Sequence, residues 1–174
     1  MVTADILAVS HQQALRFFFE RLRDVSERSD PPTAELLYTA SVLAHFATTS
    51  TASMQTFPAS PKGLSQLFEI FVLDRSQQAD PEVMEAAASQ CLLLTGFFRD
   101  QLRDRHNVAW FAMLGAGFYD SASRLGGDRS WTQMMGQMAA RFEFWRRQMH
   151  RLAQELRETP LLIVRPEAGR AMWN

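Results

Sequence analysis

Residues 131–156, WTQMMGQMAARFEFWRRQMHRLAQEL, carry the pattern that decides the fold class. Trp131, Met135, Met138, Phe142, Trp145, Met149, Leu152 and Leu156 recur at intervals alternating between four and three residues. An α-helix turns once every ~3.6 residues, so this alternation gathers all eight side chains on one side. A seam of more than three heptads predicts a long C-terminal helix packed along its length against near-parallel neighbours. Ser130 and Gln133 have the spacing of a capping box at its start, and Thr159-Pro160 ends it.

The same periodicity extends back through the chain. A first helix is expected from about Asp5 to Glu27, with Leu7, His11, Ala14, Phe18, Leu22 and Val25 inward and Phe17 on an exposed or partner-facing side. Asp30-Pro31 reads as an N-cap and a first-turn proline, opening a second helix over about 31–49. Leu36, Leu37, Tyr38, Val42, Leu43 and Phe46 cover nearly every side of it, and no Asp, Glu, Lys or Arg stands between Glu35 and Lys62. A helix apolar all round is expected to be central and surrounded by others. The Ser-, Thr- and Pro-rich stretch 48–61 reads as a loop of about 14 residues, a length typical of functional loops.

A third, shorter helix is expected from Pro61 or Leu64 to Ser76, and Asp80-Pro81-Glu82 starts a fourth that runs to about Arg105. The inward side of the fourth is Val83, Ala87, Cys91, Leu94, Phe98 and Leu102. Asn107 caps a fifth, with Phe111, Leu114, Phe118, Ala122 and Leu125 inward and Gly126-Gly127 as its stop. Gly115 and Gly117 inside it suit close helix approach better than phosphate contact. The architecture is therefore all-α: a single-domain bundle of about six helices over 1–160. A short extended tail over 161–174 follows, with Leu161 to Val164 β-prone.

Composition narrows the function classes. The chain has 174 residues, 47% hydrophobic and 21% charged, which excludes a disordered polymer. Its 18 basic and 19 acidic residues leave a net charge of -1, against the basic excess of a nucleic-acid binder. Lys62 is the sole lysine, and the preference for arginine reads as the codon bias of a GC-rich bacterial genome. The single cysteine, Cys91, excludes an internal disulfide and a multi-cysteine zinc site. No apolar run approaches the ~20 residues that span a bilayer, and the N-terminus lacks a secretory pattern. A cytoplasmic protein without membrane or nucleic-acid contact is expected.

Candidate sites are few. His45 lies on the most apolar helix and shares a stripe with Tyr38, Ser41 and Thr49. That set reads either as polar anchors of a pocket roofed by the 48–61 loop or as a buried, hydrogen-bonded histidine. No second haem ligand is evident, and no glutamate is followed by histidine three residues later, as di-iron bundles require. Glu82 with Glu85, and Asp100 with Asp104, share helix faces but lie about 22 Å apart along one predicted helix, too far to clasp one metal. Cys91, beside Leu92, Leu93 and Leu94, reads as inert packing, and Met134, Met135 and Met138 as core filler. No cofactor and no metal are expected.

Two functions remain. The first is a non-enzymatic interaction module that pairs with itself or another protein, because Phe17, Trp131, Phe144, Trp145 and Trp173 are hard to bury together. Its candidate interface residues are Phe17, Arg147, Arg151 and Trp173, although Glu143 and Glu155 stand four residues from the two arginines and neutralise much of their charge. The second is a bundle that binds a small molecule or cofactor, or an enzyme, with its pocket at Tyr38, Ser41, His45 and Thr49.

Overall fold

The computed structural model describes residues 10–52, 79–104 and 106–158, and the regular structure among them is entirely helical. The described helices are α1 (His11–Ser26), α2 (Thr33–Ala52), α3 (Pro81–Thr95), α4 (Arg99–Arg103), α5 (Val108–Leu125), α6 (Arg129–Ala140) and α7 (Phe142–Glu158), with a 3-10 turn over Glu27–Ser29. They form an all-α, single-domain bundle. The expected helix over 61–76 and the tail over 161–174 lie outside the described residues.

Local capping explains most boundaries and corrects several. Ser10 is extended (φ −63, ψ 151) and shares a capping box with Gln13, so α1 starts at His11 and not at Asp5. His11 is exposed, not inward. Asp30 does not cap α2: it sits at φ 40, ψ 61, closing the 3-10 turn in the left-handed region that aspartate tolerates. α2 begins at Thr33 and continues to Ala52, so 48–52 is helix where a loop was expected, and 53–61 lies outside the described residues. Asp80 and Asn107 cap as expected. Asp80 Oδ1 accepts from Glu82 N at 2.9 Å, and Asn107 Oδ1 accepts from Trp110 N at 3.1 Å.

The expected fourth helix is broken at Gly96. A Cβ there would stand 2.9 Å from Met149 Cβ and 3.0 Å from the Arg146 carbonyl, so the bare backbone permits the end of α3 to lie against α7. The long C-terminal helix also divides. Asp128, not Ser130, is the cap of α6, accepting from the Ser130 N–H and hydroxyl, and Arg141 (φ −111, ψ 19) separates α6 from α7. The seam survives the break because Trp145 N still donates to the Arg141 carbonyl at 3.1 Å. Met135, Met138, Phe142, Trp145, Met149 and Leu152 are all buried.

Two helices present other faces than the pattern of large side chains implied. α5 buries Phe111, Ala112, Gly115, Tyr119 and Ala122, while Leu114 and Phe118 are half-buried and Leu125 is exposed. The reason is Gly115: a Cβ there would lie 2.5 Å from Phe142 Cζ and 2.7 Å from Cys91 Cβ, so α5 meets α3 and α7 with its smallest residue. Among the described residues α2 is not covered on every side. It buries Leu36, Thr39, Ala40, Leu43 and Ala44 and exposes Ala34, Leu37 and His45 along its outer side.

Candidate functional site

The polar chemistry of the interior centres on two glutamates. Glu35, in the first turn of α2, is 2% exposed. Its carboxylate accepts from Trp145 Nε1 at 2.8 Å and pairs with Arg141 Nη1 at 3.3 Å. The Arg141 guanidinium also stacks over the Phe144 ring, 4.5 Å from its centroid. One carboxylate from α2 thus ties down the junction of α6 and α7. Buried charge is tolerated only where opposite charge and hydrogen bonds replace lost water, and this site provides both.

Glu85, in α3, holds the second cluster. It accepts from Tyr38 Oη at 2.9 Å and from Trp131 Nε1 at 3.0 Å, which joins α2, α3 and α6. Ser89 Oγ lies 3.3 Å from Tyr38 Oη and 3.2 Å from Tyr119 Oη. With Tyr38 donating to the carboxylate, the hydroxyls order in one direction, Tyr119 to Ser89 to Tyr38 to Glu85. Each bond polarises the next. Burial pushes both tyrosines well above the usual phenol range, and for Tyr38 the neighbouring Tyr119 and Glu85 add to the effect. The chain contains only these two tyrosines, and folding brings both into one network.

The residues singled out from sequence are dispersed. Tyr38 belongs to the Glu85 network, Ser41 Oγ donates back to the Tyr38 carbonyl at 2.6 Å, and His45 is exposed. The side chain of Thr49 lies outside the described residues. The three described side chains do not face one common space: two hydroxyls are engaged internally, and the imidazole points outward. Of the interface set, Phe17 is half-buried against Phe18 and under Arg21. Arg147 pairs with Glu143 at 3.0 Å, and Trp173 lies outside the described residues. Arg151 lines an open recess of about 490 Å³ between the C-terminal ends of α1 and α7, with Asp24, Glu27, Arg28 and Glu155. Of the aromatics expected to be hard to bury together, Trp145 is fully buried, Phe17, Trp131 and Phe144 are half-buried, and Trp173 lies outside the described residues.

Glu35 and Glu85 escaped the sequence reading. Glu35 entered only as the edge of the charge-free stretch, and Glu85 was paired with Glu82 by helical spacing. The available signal was the isolation of Glu35 at the edge of a charge-free helix, beside tryptophans whose N–H needs an acceptor when buried.

Cys91 is buried and its thiol is pushed up to about 12 by burial, so it carries little thiolate near neutral pH. Among the described residues no group of three or more His, Cys, Asp or Glu side chains is placed to hold a metal ion. No described helix is long and apolar enough to cross a membrane.

The outer surface offers a different kind of candidate. On α2 the exposed positions between Ala34 and Thr48 are Ala34, Leu37 and His45, and on α5 between Val108 and Tyr119 they are Ala109, Met113 and Gly117. None carries a formal charge. Met113 is 66% exposed and Leu37 47%. By contrast α1 and α7 present ion-pair ladders: Arg16 with Glu20 at 3.0 Å, and Glu143 with Arg146 and Arg147 at 2.7 and 3.0 Å. Compared with protein-family models, curated proteins and solved structures, the chain matches none.

Proposed function

We propose that this chain is a non-catalytic helical interaction module that acts as a homodimer. The observation that carries the reading is the run of uncharged exposed positions on α2 and on α5 between Val108 and Tyr119, where α1 and α7 carry ion pairs on their surfaces. Exposed apolar side chains on an uncharged helix face gain from being covered, at roughly 25 cal/mol per Å² removed from water. A net charge of -1 offers little repulsion to a second copy. The reading includes a cytoplasmic setting, which the unpaired Cys91 suits.

The interior supports the same choice. The buried Glu35 and the half-buried Glu85 are engaged by indoles, a phenol and a guanidinium, which suits structural anchors better than a free acid or base. Sedimentation equilibrium across the micromolar range tests the proposal. The expected result is a concentration-dependent rise to twice the chain mass, and a strict monomer throughout would overturn it.

A further inference from the structure

We draw no further inference here: the strongest candidate, the open recess between the C-terminal ends of α1 and α7 lined by Asp24, Glu27, Glu155 and Glu158 with Arg28 and Arg151, is a cluster of exposed charged side chains, and none of the described buried polar atoms left without a partner belongs to a residue lining it, so nothing there points to a ligand.

Discussion

The outer surface of α7 and the outer surface of α5 treat charge in opposite ways. Glu143 in α7, half-exposed, holds exposed Arg147 and the largely covered Arg146, whereas α5 has no charge between Val108 and Tyr119. The acids of α2 and α3 that line the interior, Glu35 and Glu85, face indoles. Identical side chains therefore do different work according to place. On α7 a carboxylate keeps a face solvated, and in the interior it fixes which helices meet. The faces left without charge are the ones that can be covered.

The largest expected effect comes from pH. Tyr38 and Tyr119 ionise only well above the ordinary phenol value of about 10 while folded, but at that value once unfolded. The unfolded state therefore loses protons first, so the stability present below pH 10 falls as pH rises beyond it. The slope is about 1.4 kcal/mol per pH unit for each tyrosine. Near-ultraviolet tyrosinate absorbance and helical circular dichroism should change together in one cooperative step. Tyrosinate appearing near pH 10 with helicity intact would show the interior network to be as solvated as the α7 ladder.

Glu35→Ala comes next. It strands the Trp145 N–H in the interior and releases Arg141, and breaking a buried pair from one side costs about 3 kcal/mol or more. Chemical denaturation measures this directly. Glu143→Gln on α7, the exposed counterpart, should cost at most about 1 kcal/mol in the same experiment. Equal losses would erase the distinction between anchor and ladder.

The two glycines of α5 sharpen the contrast at closer range. Gly115→Ala forces a methyl into Phe142 and Cys91 and should destabilise by about 1–3 kcal/mol. Gly117→Ala enters open space and should raise monomer stability by roughly 0.5–1 kcal/mol. Thermal melts at low concentration, where the monomer dominates, compare the two.

Legibility followed the range of the interaction. Asp80 and Asn107 were readable as caps because a cap is completed within three residues of itself. The inner seam from Met135 to Leu152 was readable because the periodicity of one helix implies one buried side, and it stayed correct across the break at Arg141. Asp30 and Ser130 were misread where a competing local geometry was available: the left-handed turn at Asp30 and the stronger cap two residues ahead at Asp128. The inner face of α5 was misjudged because size was taken as the measure of burial, yet the small side of the helix allowed the closer approach. His45 was placed inside because its neighbours are apolar, but a helix with too many apolar positions must leave some of them outside.

The sequence by itself determined the helices, their approximate limits, a single domain and the absence of a charge bias. Those properties come from periodicity, capping and composition, all short-range or global averages. Only the tertiary structure decided which face of α5 and α2 turns inward, where the long C-terminal helix breaks, and that Glu35 and Glu85 become interior anchors. Each of those outcomes depends on a partner far along the chain, such as Trp145 for Glu35 or Phe142 for Gly115. Local patterns say that a side chain needs a partner, and the fold chooses which one it meets.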